Sequence, residues 1–244
     1  MRASRLITAV DVHAEGEGGR VITGGMPLLK GDTVFEKMQY MQTHHDDTRT
    51  LMLQEPRGNP ALCCNILVDP CDPTADAGFI IMEQTEYPPM SGSNTICVTT
   101  VLLETGIIAM QEPITKLRLE SPAGLIDVTA SCKNGKVERV EFLNVPGFAV
   151  HIDVPLEVPD YGTIHVDIAW GGMFFVLAEA KQFNINPVAE NGADIVKACE
   201  AMRHAAAQQY PVTHPMNPDI SGPTISALTA DPTDSNTQGR GAIS

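Results

Sequence analysis

The sequence predicts an α+β protein in which many short strands accompany few helices. Short stretches of alternating apolar and polar residues recur along the chain and are separated by turns rich in glycine, proline and asparagine. This alternation is typical of half-buried strands, whereas only a few longer segments have apolar residues at helical spacing. Short strands throughout and no long helical repeat favour α+β over the other fold classes.

Composition indicates a folded globular chain and disfavours some classes of partner. The 244 residues are 43% hydrophobic and 19% charged, and the net charge of -14 disfavours a nucleic-acid or anionic-membrane surface. The apolar run near the N-terminus is too short for a signal peptide, and no segment has the length of a membrane span. We therefore expect a cytoplasmic protein with reduced cysteines.

The first half contains strands on both sides of one helix. Strands are predicted in four segments: RLITAVDVHAEG, GRVITGG, the two sides of the turn in LMLQEPRGNPALCCNILV, and AGFIIMEQ. A helix is predicted from an N-cap at Asp32, because Val34, Met38 and Met41 lie at helical spacing.

The second half is richer in strands. They are predicted in ITKLRLES, GLIDVTASC, KVERVEFLNV and TIHVDIAWGGMFFVLAEA, the last hinged at Gly171-Gly172. An amphipathic helix is predicted over 188–209, and a turn and one strand follow it. We place the domains at 1–120, 121–230 and a loose tail at 231–244, which has no apolar periodicity.

The segment TEYPPMSGSNTICVTTVLLETG predicts a buried helix. Two prolines stop the preceding chain, Ser91 falls at the N-cap, and Gly106 provides a C-terminal glycine. Because the run is apolar on nearly all sides, protein should surround it.

The N-terminus of this helix, residues 91–94, is called its mouth below and has two interpretations. The N–H groups of Gly92, Ser93 and Asn94 can hold a carboxylate at the positive end of the helix dipole, with Ser91 beside the carbon that bears it. Alternatively, the serines are ordinary caps that satisfy the helix end. The residues alone leave both interpretations open.

Several motifs then identify a family resemblance. PPMSGSNTICVTTVLLETG resembles the first catalytic motif of the proline racemase family, where Met-Cys-Gly-His is usual and serine replaces the cysteine in some members. Four further stretches are similar to family motifs and occur in the same order: VDVHAEGEGGRVITGG, EPRGNPA, SPAGLIDV and THPMNPD.

The resemblance implies a diaminopimelate-epimerase-like fold, with two similar domains that each wrap a curved sheet around a central helix. It implies cofactor-independent and metal-free chemistry on proline or hydroxyproline, with Ser91 catalytic and Gly92, Ser93, Asn94 and His214 in contact with substrate. For His214, lining the pocket and shaping a turn are equal alternatives. A homodimer stands as an alternative to a monomer.

Serine at position 91 implies dehydration of trans-3-hydroxy-L-proline to 1-pyrroline-2-carboxylate, because a hydroxyl is harder to ionise than a thiol. The alternatives are a 4-hydroxyproline 2-epimerase, a proline racemase, or an inactive remnant that at most binds an imino acid.

The sequence departs from the family pattern near its end. The second motif, Asp-Arg-Ser-Pro-Cys-Gly-Thr-Gly, is absent from residues 1–244, and with it the second acid/base residue and the second central helix. Cys97, Cys132 and Cys199 lack the helix-start context of a reactive thiol. We therefore expect an incomplete second domain and impaired activity, whether through a frameshift, an early end or a partner chain that supplies the rest.

Overall fold

A computed structural model describes residues 3, 5–232 and 240–243. The chain divides into two compact units, Met1–Val145 and Pro146–Ser244, each with its own sheet and helices. The predicted α+β class is confirmed. No helix in the described part of the chain is long and apolar enough to cross a membrane.

Unit 1 is built on one seven-stranded sheet with its strands in sequence order. Neighbouring strands are antiparallel, except that β2–β3 and β4–β5 are parallel. The strands are β1 (Thr8–Ala14), β2 (Glu17–Gly24), β3 (Cys63–Val68), β4 (Ala77–Met82), β5 (Ile114–Ser121), β6 (Gly124–Lys133) and β7 (Lys136–Leu143).

The division between the units lies later than the boundary expected at residue 120. That position falls inside β5, which is paired on both sides, and β6 and β7 extend the same sheet. Backbone pairing therefore keeps these strands in unit 1, although their turn-rich texture differs from that of the preceding segments.

The sheet of unit 1 curls around helix α3 (Gly92–Glu104). Both edge strands, β1 and β7, contact α3, and this is possible only when the sheet bends around the helix. Apolar side chains on nearly all sides of α3 are buried, as predicted. The predicted end is also confirmed, since Gly106 follows the C-cap Thr105 with a left-handed φ of 76°.

The opposite face of the sheet is covered by α1 (Val34–His44) and α2 (Asp47–Leu53). In β4, Phe79 and Ile81 pack on the α3 side, whereas Ile80 and Met82 pack on the α1 and α2 side. Burial on both faces explains why this strand is a continuous apolar run.

Two local predictions are corrected in this region. The N-cap of α1 is Thr33, whose side chain accepts a hydrogen bond from the Glu36 N–H, and not Asp32. The segment Leu51–Leu53, predicted as a strand, lies in α2, where Asp46 pairs with Arg49 one turn away. Met52 and Leu53 are good helix formers, and their burial in α2 stabilises the helix over the predicted strand.

Unit 2 has a five-stranded sheet of order β14-β13-β10-β9-β8 and a separate β11–β12 hairpin. Helix α4 (Gly192–Gln209) buries the predicted face that carries Ile195 and Met202, and it packs on β8, β10 and β13. The strands are β8 (Phe148–Val158), β9 (Gly162–Trp170), β10 (Phe174–Glu179), β11 (Val212–His214), β12 (Asn217–Gly222), β13 (Ile225–Ala230) and β14 (Arg240–Ile243).

The predicted loose tail is corrected in part. Residues 240–243 form β14, which pairs antiparallel with β13. Backbone hydrogen bonds hold this strand, so it needs no apolar periodicity. The remainder of the tail, 233–239 and 244, lies outside the described residues.

The enclosure of α3 predicts a large difference between two Leu→Ala changes. Leu102 in α3 is 1% exposed, so Leu102→Ala should lower the free energy of unfolding by about 3 kcal/mol through lost burial and a residual cavity. Leu28→Ala is the matched control, because Leu28 is 83% exposed and its loss should cost at most about 0.5 kcal/mol. Urea unfolding measures both, and equal losses would contradict the packing described here.

Candidate active site

Ser91 occupies the N-cap position of α3, but its side chain does not cap the helix. Its backbone is extended (φ -144°, ψ 136°), and its hydroxyl makes no capping hydrogen bond to the described backbone of α3. Instead, Ser91 Oγ accepts a hydrogen bond of 3.0 Å from Asn94 Nδ2. The capping interpretation therefore does not account for this hydroxyl.

A buried pair of amides orients the hydroxyl. Asn94 is 1% exposed, and its Oδ1 accepts a hydrogen bond of 2.7 Å from Asn65 Nδ2 on β3. This second bond fixes which end of the Asn94 amide faces Ser91. Among the described residues, Asn65 Oδ1 has no hydrogen-bond partner although the side chain is fully buried.

On its other side, Ser91 contacts a second hydroxyl, which in turn donates to a carboxylate. Ser91 Oγ lies 3.3 Å from Ser93 Oγ, and Ser93 Oγ donates a hydrogen bond of 3.0 Å to Glu17 Oε1. Glu17 begins β2 and is exposed, so the pair joins the mouth of α3 to the strand that passes beside it.

The first backbone N–H groups of α3 precede its first intrahelical hydrogen bond and face the N-terminal end of the helix. The first intrahelical bond runs from the Thr95 N–H to the Ser91 carbonyl at 3.0 Å, so the N–H groups of Gly92, Ser93 and Asn94 precede it. Gly92 also has a packing role, because a Cβ there would lie 3.0 Å from Phe142 Cζ. The glycine lets the helix start approach β7 closely.

Burial disfavours the charged forms of the thiols and of the remaining carboxyl near this mouth. Burial raises the pKa of Cys63 to about 12, and the nearby Glu83 adds to the effect. Burial and the charge of Glu17 raise the pKa of Cys97 to about 11. Burial also raises the pKa of Glu83, whose Oε1 lies 3.8 Å from Cys63 Sγ.

His214 belongs to unit 2 and ends β11. Its Nδ1 accepts a hydrogen bond of 3.3 Å from the Met216 N–H, and its ring centroid lies 4.7 Å from that of Trp170. Burial lowers the pKa of His214 and favours the neutral imidazole. The hydrogen bond fits the turn-forming alternative, and substrate contact by His214 stays a prediction.

Ser91, Gly92, Ser93 and Asn94 lie at the start of α3, and the structure adds neighbouring residues that the sequence analysis missed. A polar residue inside the buried strand CCNILV was the available signal for Asn65. Glu17 lies in the glycine-rich connection, and no local pattern links it to a helix 76 residues away.

Comparison with known proteins supports the motif-based resemblance. The proline racemase family matches residues 9–244. A probable proline racemase from Agrobacterium radiobacter K84, solved with bound carbonate, is 38% identical with a TM-score of 0.92, and the match covers 98% of this chain and 70% of that one. A hydroxyproline epimerase from Agrobacterium vitis, solved with bound trans-4-OH-L-proline, is 36% identical with a TM-score of 0.91, covering 100% of this chain and 70% of that one.

A more distant structure has the same fold. Methylitaconate-delta-isomerase is 15% identical with a TM-score of 0.50, and the match covers 98% of this chain and 73% of that one. Together with the family match over nearly the whole chain, the two Agrobacterium structures settle the assignment. The chain belongs to the proline racemase family.

Proposed function

We propose that the Ser91 site acts on a cyclic imino acid without a cofactor and dehydrates trans-3-hydroxy-L-proline to 1-pyrroline-2-carboxylate. The observation that carries this proposal is a serine hydroxyl at the N-terminus of a buried helix that is oriented by Asn94 and takes no part in capping. Such a hydroxyl is placed to move a proton at a substrate held by the helix end.

The N-terminus of α3 provides the groups that would bind the substrate carboxylate. Three successive N–H groups, from Gly92 to Asn94, precede the first intrahelical bond, and the helix dipole is positive there. A substrate carboxylate bound to them would be stabilised as negative charge spreads from the Cα during proton removal.

The chemistry of the side chains favours serine over thiol catalysis. Cys63 and Cys97 have pKa values raised to about 12 and about 11, so neither supplies a thiolate near neutral pH. Racemisation by two thiols needs one of them ionised, whereas elimination needs a proton carrier that also protonates the leaving hydroxyl. Ser91 fits the second requirement.

The stereochemistry of the substrate also favours a one-sided site. In trans-3-hydroxy-L-proline, the carboxylate and the hydroxyl are on opposite faces of the ring, so the Cα hydrogen and the hydroxyl share one face. A single hydroxyl on that face can receive the Cα proton and then protonate the departing oxygen. The C3–O bond breaks, a Cα–C3 double bond forms, water leaves, and the enamine tautomerises to the imine.

A second candidate is epimerisation of 4-hydroxyproline at C2. It is favoured by the 36% identity to the hydroxyproline epimerase, which was solved with trans-4-OH-L-proline. Proline racemisation belongs with this candidate, since both require proton transfer on two faces of Cα. The candidate of another class is a protein that binds an imino acid without turnover.

One experiment separates these candidates. The protein is incubated in D2O with trans-3-hydroxy-L-proline, trans-4-hydroxy-L-proline or L-proline, and NMR follows cyclic imine formation and C2 inversion. We expect imine from trans-3-hydroxy-L-proline only, and its loss in Ser91→Ala. Epimer without imine would overturn the dehydratase proposal in favour of the second candidate.

If neither product forms and calorimetry shows binding of pyrrole-2-carboxylate, both enzymatic candidates are contradicted. The protein would then bind an imino acid without turnover. In that case Ser91→Ala should retain the affinity, because the carboxylate is held by backbone N–H groups that the change leaves in place.

The neutral thiols provide a separate prediction. Because burial raises the pKa of Cys63 to about 12, its alkylation by iodoacetamide at about pH 8 should be at least roughly a hundredfold slower than that of an unperturbed thiol. The reaction should accelerate as pH rises. The urea-unfolded protein is the matched control, with peptide mass spectrometry to identify Cys63. Similar rates in folded and unfolded protein would contradict the neutral-thiol assignment.

A further inference from the structure

Hydrogen-bond direction around Ser91 is set by the single proton of each hydroxyl. Ser93 Oγ donates its proton to Glu17 Oε1 at 3.0 Å, so that proton is committed. At the 3.3 Å contact between Ser91 Oγ and Ser93 Oγ, Ser91 must therefore be the donor. The hydroxyl proton of Ser91 therefore points toward Ser93, in the direction of Glu17.

The buried amides reinforce the same direction. Asn65 donates to Asn94 at 2.7 Å, and Asn94 donates to Ser91 Oγ at 3.0 Å. An amide donor on this oxygen stabilises the negative charge that develops as the hydroxyl proton leaves. Each bond is thus polarised toward the exposed carboxylate.

From this geometry we propose that Glu17, acting through Ser93, is the proton acceptor that lets Ser91 work as a base. The side chains of Glu17 and Ser93 are relay groups, because they act through Ser91 and do not touch the reacting atoms of the substrate. The inference rests on the proposed function of Ser91 and adds the source of its basicity, which a serine hydroxyl lacks on its own.

The proton count balances over one turnover. The Cα proton passes to Ser91 Oγ while the Ser91 proton passes to Ser93 and the Ser93 proton to Glu17, which leaves a carbanion and a neutral carboxylic acid. The same protons then return along the chain, and Ser91 protonates the departing 3-hydroxyl as the C3–O bond breaks. Water and the enamine leave with the relay restored, and no further reactant is needed.

The titratable groups that interact with Glu17 are compatible with this role. Cys63 on β3, Cys97 on α3 and Glu83 after β4 all sense its charge, and burial raises the pKa of each. The two thiols, with pKa values of about 12 and about 11, are neutral near pH 7 and add no charge beside Glu17. Glu17 itself is exposed.

Turnover kinetics provide the first test. Glu17→Gln and Ser93→Ala should each lower kcat for trans-3-hydroxy-L-proline by roughly a hundredfold with little change in KM. Ser93→Thr retains a hydroxyl and should restore most of the rate. Glu15→Gln removes a neighbouring charge and is the matched control, with no change expected. Unaltered kcat in Glu17→Gln or Ser93→Ala would overturn the relay.

A second test does not depend on turnover, so it separates failure of the relay from failure of the proposed function. In a Ser91→Cys background, the thiol should donate to Ser93, which disfavours its ionisation. Ser93→Ala and Glu17→Gln should each speed alkylation of Cys at position 91 at about pH 7 by roughly threefold or more. The variant with both changes should react no faster than either single variant, because each change interrupts the same series of hydrogen bonds. Additive effects would overturn the relay, and so would an effect of Glu17→Gln without an effect of Ser93→Ala. Either result would show that the charge of Glu17 acts on the thiol through space.

Discussion

The enclosure of α3 by its own sheet is the constraint on which the site depends. Both edge strands of the seven-stranded sheet contact this helix, and its apolar side chains are buried around nearly the whole circumference. Polar groups within the enclosure are satisfied locally, since the hydroxyls of Thr95, Thr99 and Thr100 donate to carbonyls four residues earlier. Packing thus holds the helix in place, and the hydroxyl of Ser91 is not required as a cap.

The acidic surroundings of the helix mouth determine which chemistry it supports. A thiolate is disfavoured at Cys63 and Cys97, because both thiols are desolvated by burial and the charge of Glu17 lies nearby. The same burial and charge do not penalise a neutral hydroxyl that passes its proton onward. An environment that opposes thiol-based racemisation is therefore compatible with serine-based elimination, and the two properties have one electrostatic cause.

The sequence predicted those features that are encoded locally. The limits of α3, its burial and Gly106 at its end follow from prolines, apolar spacing and a glycine within one segment. The α2 helix did not follow, because burial of Met52 and Leu53 against the sheet decides it. The division between the units depends in the same way on pairing of β5 through β7 with distant strands. The Ser93–Glu17 contact joins residues 76 positions apart, and no local pattern encodes it.

The amide of Asn65 orients the hydrogen bonds around Ser91. Its carbonyl oxygen has no hydrogen-bond partner among the described residues, although the side chain is fully buried. Its amide nitrogen, however, holds Asn94 Oδ1, and this bond turns Asn94 Nδ2 toward Ser91. With the amide reversed, Asn94 would present an acceptor to Ser91, and the hydroxyl proton would point away from Ser93. The direction of the hydrogen bonds from β3 to Glu17 therefore depends on the bond that Asn65 donates to Asn94.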